Sequence, residues 1–257
     1  MKPVWAIAKL VIKEIFRKKD FYVALILIGA ILLFAQRMQF YNTKNISRYL
    51  AEIGLALIYL FSIILCGALA ARQYPSEIQN RTGTLLLSKP ISRAQFVAGK
   101  YLGALLAGLA AFTAFFAVFI LILNWKAEEL AWPVAAQTFY LFALNLSLFS
   151  AMVCAFSYSL TASANLTISL ILYYLISLYG ASLRETAATM AVVPARIACQ
   201  VLYYAFPHFE FFDLRQRLIH GWEGVAPSLL GFLSAYAAVY VLFFLVVAYF
   251  SLRRRSL

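Results

Sequence analysis

The chain has 257 residues, of which 64% are hydrophobic and only 12% charged, where a soluble domain carries about a quarter charged. That excludes a solvated nucleic-acid-binding body, a disordered chain and, with an odd count of three cysteines, a disulfide scaffold. The formal charge of +12 rests on 22 Lys and Arg against 10 Asp and Glu, so its distribution along the chain is the first thing to establish.

Residues 1–20 form an alternation of their own. At 100° per residue Val4, Trp5, Ile7, Ala8, Val11, Ile12, Ile15 and Phe16 fall on one half of a helix. Lys2, Lys9, Lys13, Arg17 and Asp20 gather on the other. Such a cationic amphipathic helix lies at the inner headgroups of an anionic bilayer rather than being a cleaved signal. It serves as an anchor, as part of a docking surface for a cytoplasmic partner, or both.

A spanning helix takes about 20 largely apolar residues. The uncharged runs then predict six spans, near 21–40, 51–71, 98–123, 134–157, 165–183 and 227–251. The fourth and fifth share a run from Leu130 to Leu183 without a charge, too long for one crossing, and the polar stretch Ser157, Ser159, Thr161, Ser163, Asn165 supplies the turn. Thr186 to Phe206 has Arg196 as its one charge but holds Pro194 near its middle. It is read as a short helix pair in the outer leaflet rather than a seventh span.

Six spans place both termini on one side, and the positive-inside rule makes that side cytoplasmic. The inner segments then hold Lys2, Lys9, Lys13, Arg17, Lys18, Lys19, Arg72, Arg81, Lys89, Arg93, Lys100, Arg253, Arg254 and Arg255 against Glu14, Asp20 and Glu77, a net of +11. The remaining eight cations and seven acids leave +1 outside. The expected fold is an all-α polytopic membrane protein in the plasma (bacterial inner) membrane. It is a single transmembrane domain over 1–257, with an amphipathic interfacial helix at 1–20, a cytoplasmic coupling loop at 72–97 and an extracytoplasmic helical loop at 184–226.

Intramembrane enzymes and ion-coupled carriers place ionisable groups inside their spans. The third, fourth and fifth spans have none in their interiors, and the sixth has none before Arg253. Gly99-Lys100 ends no phosphate loop, because no glycine stands five residues before Gly99 and Tyr101 occupies the Ser or Thr position. No catalytic, cofactor or metal residue is therefore assigned, and energy for transport must come from a separate subunit. Gly99 and Gly103 form a GxxxG pair suited to close packing within the chain or against a second copy.

The most informative polar segment lies between the second and third spans, Ala71 to Arg93. Its apolar Leu85, Leu86 and Leu87 require a partner surface, Pro90 stops that stretch, and Ser92 is placed to cap the helix beginning near Arg93. With Glu77, Asn80-Arg81-Thr82, Leu86-Leu87-Ser88-Lys89-Pro90-Ile91-Ser92-Arg93, Phe96 and Gly99-Lys100, it resembles the permease subunits of type-2 ABC exporters, the broad family that includes copper-enzyme maturation permeases. Tyr203 to Glu210 followed by Phe212-Asp213-Leu214-Arg215 is a second point of similarity. Gln79 departs from the family, standing where an acid is common, and so do His208 and Phe209, in place of Asn-Leu.

The resemblance implies that residues 77–93 form a coupling helix seated in a cytoplasmic ABC ATPase. Glu77, Arg81, Leu85, Leu86, Leu87, Lys89, Pro90 and Arg93 would be its contacts, with ATP and Mg bound by the partner and no cofactor in this chain. It also implies a second permease chain, identical or homologous, and an outer-face gate around Pro207, His208, Glu210 and Asp213. Nucleic acid is not among the expected partners. Two rivals stand beside this reading. One is a membrane enzyme acting on lipid through His208, Glu210, Asp213 and His220; the other is a non-transporting anchor for a complex.

Overall fold

The computed structural model describes residues 4–9, 13, 22–23, 26, 46–75, 92–125, 131–189, 196–197 and 206–254. The expected first span at 21–40 and the coupling segment from Ser76 to Ile91 lie outside the described residues, apart from 22–23 and 26. The described secondary structure is wholly helical. Five long helices are α1 (Ile46–Arg72), α2 (Arg93–Trp125), α3 (Trp132–Ser157), α4 (Ala162–Thr189) and α6 (Pro227–Arg254). Between the last two lie a single 3-10 turn, Phe209–Phe212, and the short helix α5 (Arg215–His220).

Four of these helices, α1, α2, α3 and α6, are long and apolar enough to cross a membrane, and α4 contains a shorter apolar stretch over Ala162–Leu178. Their ranges coincide with four of the expected spans to within a few residues. The fifth differs at its outer end, because α4 runs on as helix through Arg184 and Glu185 to Thr189. At 1.5 Å per residue that carries it about 17 Å beyond the apolar stretch, and the described part of the expected outer-leaflet pair begins as its continuation.

The turn between α3 and α4 is tighter than the polar stretch suggests, occupying only 158–161. The amides of Ser159 and Leu160 both donate to the Phe156 carbonyl at 3.0 Å and close it. Ser163 and Asn165 therefore belong to α4. Asn165, fully buried, donates through Nδ2 to the Val153 carbonyl at 3.0 Å and accepts from Ser169 Oγ at 3.1 Å. A polar side chain in an apolar bundle is thereby satisfied at both ends while tying two antiparallel helices together.

α3 is the central element, packing on α1, α2, α4 and α6. Within its span 67% of residues are buried, against 17% in α6. α6 turns Leu229, Phe232, Val239, Leu242, Phe243, Val246 and Phe250 outward, an apolar face that belongs in hydrocarbon rather than water. The centre of the bundle is aromatic: Tyr59 of α1 packs on Phe142 of α3 with ring centroids 3.6 Å apart. Phe112 of α2 lies 4.6 Å from Phe142 and 5.0 Å from Phe139. Dispersion between such rings matters here because lipid gives helices no hydrophobic reason to associate.

At its first turn α2 is capped by Ser92, as expected. The Gln95 amide donates to Ser92 Oγ and the Ser92 amide donates to Gln95 Oε1, both at 3.2 Å, a reciprocal capping box. Residues 4–9 are helical, with Ile7 and Ala8 buried and Trp5 and Lys9 exposed. A Cβ on Gly99 would lie 2.9 Å from Ile7 Cβ and 3.2 Å from the Val4 carbonyl. The first glycine of the GxxxG pair thus serves packing within the chain, admitting the N-terminal helix against α2.

A pocket beneath an inserted outer turn

The connection into α6 does not rest on top of the bundle. Its 3-10 turn is inserted between α3 and α4, with Phe209 and Phe212 fully buried. Phe209 packs 4.7 Å from Tyr173 and 6.5 Å from Phe149. Its carbonyl accepts a 3.3 Å hydrogen bond from Nδ2 of Asn145. Asn145 stands at the middle of α3, about 19 Å from either end at 1.5 Å per residue, so the turn reaches the mid-depth of the bundle.

Backbone at such depth needs its polar groups satisfied by protein. The turn does this locally: the Asp213 amide donates to the Glu210 carbonyl at 3.2 Å, and Leu218 donates to Leu214 at 3.1 Å. α5 ends at Gly221 in the left-handed region, φ 63°, where the following Trp222 amide donates to the Arg217 carbonyl at 3.0 Å. A residue with a Cβ is strained at that φ, so glycine fixes the exit. Farther on, Gln137 of α3 grips the Val225 backbone in both directions, accepting its amide at 2.7 Å and donating to its carbonyl at 3.0 Å. Turn and exit are both pinned to α3.

Under the inserted turn lies a cavity of about 610 Å³, open on one side. Tyr59 and Ile63 of α1, Asn145 of α3, Tyr173 and Tyr174 of α4, and Phe209, Glu210, Asp213 and Arg215 of the outer segment line it. Leu60 of α1 and Leu178 of α4, both exposed, also line it. Arg215 is held rigidly: its Nε meets both carboxylate oxygens of Asp213 at 3.0 Å and its Nη2 donates to Oδ2 at 2.6 Å. Its guanidinium also stands 4.9 Å from the centroid of the Tyr59 ring, and the planar fork matches carboxylate and ring face together.

The residues expected at an outer gate divide between two places. Glu210 and Asp213 line the cavity, while His208 faces α6. The His208 amide donates to the Tyr236 hydroxyl at 3.0 Å, and Nδ1 lies 3.2 Å from the same oxygen. Its ring stacks on Phe211 at 5.1 Å. Burial holds the His208 imidazole below its ordinary pKa and pushes the Glu210 carboxyl above its own. Pro207 is buried at the entry to the turn.

The four residues of the lipid-enzyme alternative do not converge. Asp213 belongs to Arg215, His208 to Tyr236, and His220 pairs with the Gln216 carbonyl at 3.0 Å beside Trp222. Among the described residues no group of three His, Cys, Asp or Glu is placed to hold a metal. Of the expected ATPase contacts only Arg93 is described, and its Nη1 donates to the Arg253 carbonyl at 3.2 Å, capping the C-terminal end of α6. Glu77, Arg81, Leu85, Leu86, Leu87, Lys89 and Pro90 lie outside the described residues.

The sequence alone does not single out Tyr59, Asn145 or Tyr173, and it marks Arg215 only as a loop cation and as the last residue of the Phe212-Asp213-Leu214-Arg215 similarity. Asn145 carried a usable signal, since an amide midway along an uncharged run has to find a polar partner inside the bundle.

Apolar helices exposing large aliphatic and aromatic faces, together with a cavity at their mid-depth, define a multi-pass membrane protein of the permease class. The chain belongs to the ABC-2 family of transporter proteins, whose match runs over residues 9–204. It is accordingly a transmembrane permease component of an ABC transporter. The match is to the family as a whole and ends before the inserted turn. No curated protein matches the chain.

Proposed function

We propose that the chain is the transmembrane subunit of an ATP-driven exporter, forming its pathway as a dimer. Six spans leave both termini on the cytoplasmic side of the plasma membrane, with the amphipathic N-terminal helix at the inner headgroups. A separate cytoplasmic ATPase binds ATP and Mg and engages the segment from Glu77 to Arg93, where Leu85, Leu86 and Leu87 form an apolar plug and Pro90 a rigid corner. Family membership supports the partnership with an ATPase. The observation that carries the reading is the turn inserted to mid-depth above a largely apolar cavity that holds a few polar groups. A closed outer end over a cavity is one of the two arrangements that alternating access requires, and a nucleotide-driven shift at the inner end biases between them through differential contacts.

A dimer is supported by the exposed apolar side chains on the two helices that flank the cavity. α1 exposes Ile53 and Leu60, and α4 exposes Ile168, Ile171, Leu175 and Leu178, so a second chain on this face would enclose the cavity. The test is co-purification of the ATPase from membranes. Glu77→Lys and Leu86→Asp each abolish it while leaving the permease inserted, and retention of the ATPase by both variants refutes the docking.

A further inference from the structure

Three polar groups of the cavity lack a partner among the described residues, and each of them can accept a hydrogen bond. The Tyr59 hydroxyl and Asn145 Oδ1 are buried without a hydrogen bond, in residues only 5% and 1% exposed. Asn145 is oriented by its own Nδ2, which is committed to the Phe209 carbonyl. The free atom is therefore an acceptor, and it is left without a hydrogen bond although Tyr173 stands beside the same amide. The third group is the Glu210 carboxylate, half-buried at the cavity wall. An unpaired buried acceptor keeps its full desolvation penalty, so Asn145 Oδ1 demands a donor, and the Tyr59 hydroxyl is free to accept one as well.

Charge points the same way. The Arg215 cation is matched by Asp213 at 2.6 Å, so the net charge of the lining is that of Glu210. An anionic ligand would meet a carboxylate and leave Asn145 Oδ1 unpaired. An ammonium supplies several N–H donors and no acceptor, and the rings of Tyr173, Tyr174 and Phe209 at the wall offer it π-faces. Leu60, Ile63, Ala56 and Leu178 line the remainder, which suits an apolar body. Resting on the exporter reading above, we infer that this cavity is the cargo site and that it selects an amphipathic organic ammonium. Glu210, Asn145 and Tyr59 receive the ammonium N–H groups. A free amphipathic amine and the headgroup of phosphatidylethanolamine share this chemistry.

The test uses the full-length permease in nanodiscs of phosphatidylglycerol, with dansylcadaverine, an amphipathic primary ammonium, as the fluorescent probe followed by anisotropy. Saturable binding is expected, displaced by dodecylamine and not by dodecanoate. Glu210→Gln weakens binding by about tenfold and Glu210→Asp restores most of it, as a charge-assisted hydrogen bond requires. Tyr59→Phe weakens binding by about fivefold without lowering the thermal stability of the ligand-free permease, because it deletes an unpaired buried hydroxyl. Replacing part of the phosphatidylglycerol by phosphatidylethanolamine shifts the isotherm to weaker apparent binding if the headgroup is the natural occupant, and leaves it unchanged if a free amine is. Absence of saturable binding, equal displacement by dodecanoate, or unaltered affinity of Glu210→Gln overturns the inference. ATPase co-purification without dye binding sinks this inference alone, whereas dye binding without ATPase pairing sinks the exporter reading alone.

Discussion

Two contacts hold the outer turn at mid-depth, and their relative weight can be worked out. Phe209 is fully buried against Phe149 and Tyr173. Truncating a fully buried Phe to Ala costs about 3–5 kcal/mol, and the lower figure suits a bundle in which lipid can partly fill the space. Asn145 contributes one hydrogen bond, at 3.3 Å, to the Phe209 carbonyl. Side-chain hydrogen bonds between membrane helices average about 0.6 kcal/mol, with a ceiling near 1.7. Asn145→Leu also removes the unpaired Oδ1, which offsets part of that loss, so its net cost is about 1 kcal/mol or less. At about 1.4 kcal/mol per tenfold, Phe209→Ala raises the population of the undocked turn on the order of a hundredfold, and Asn145→Leu about fivefold or less. Hydrogen–deuterium exchange of residues 206–222 in nanodiscs reads this directly through the Asp213, Leu218 and Trp222 amides, each protected by a local bond. Equal acceleration by the two variants, or none in Phe209→Ala, would refute the view that the ring rather than the amide docks the turn.

Gly99→Leu places a side chain where a Cβ alone lies 2.9 Å from Ile7 and 3.2 Å from the Val4 carbonyl; the N-terminal helix must leave α2, and exchange at residues 4–9 should accelerate at least tenfold while α3 stays protected. His208 is held below its ordinary pKa by burial, so its neutral form stabilises the folded outer segment above about pH 6.5, and that contribution is lost as pH falls. Glu210 is shifted up by burial and acts in the opposite sense, favouring the folded state as it gains a proton. The difference in melting temperature between wild type and His208→Phe, followed from about pH 7.5 to about pH 5, isolates the histidine. The wild type should lose stability on acidification relative to the variant, and parallel curves would show that His208 contributes nothing to pH dependence.

Most of the described fold was legible because hydropathy in a membrane chain reports length directly. α1, α2, α3 and α6 fall where uncharged runs of spanning length stand, and the Ser92 cap follows from a short local pattern whose bonds close within three residues. The outer end of α4 was misjudged because Arg184 and Glu185 end an apolar run without ending a helix; backbone hydrogen bonding continues through charged residues once they have left hydrocarbon. Tight packing in place of polarity also explains Ser163, which reads as turn chemistry and is helical because Asn165, two residues on, finds the Val153 carbonyl across the bundle.

The cavity was hidden for a different reason. Hydropathy sorts residues into spans and loops and assumes that a charged loop stays in water. Asp213 and Arg215 temper that assumption together: joined by three short contacts, with the guanidinium against the Tyr59 ring, the pair carries little net charge and stays about one-third exposed at the cavity wall while Phe209 is buried beside it. The same two residues separated in sequence, or bearing like charge, would hold the segment at the surface. What allows an outer loop to act at mid-depth is thus a pairing of opposite charges two positions apart beside a run of phenylalanines, Phe209, Phe211 and Phe212. The rings bring the burial and the ion pair removes its electrostatic penalty, which leaves Glu210, between them, as the one carboxylate of the turn with its charge still open to a ligand.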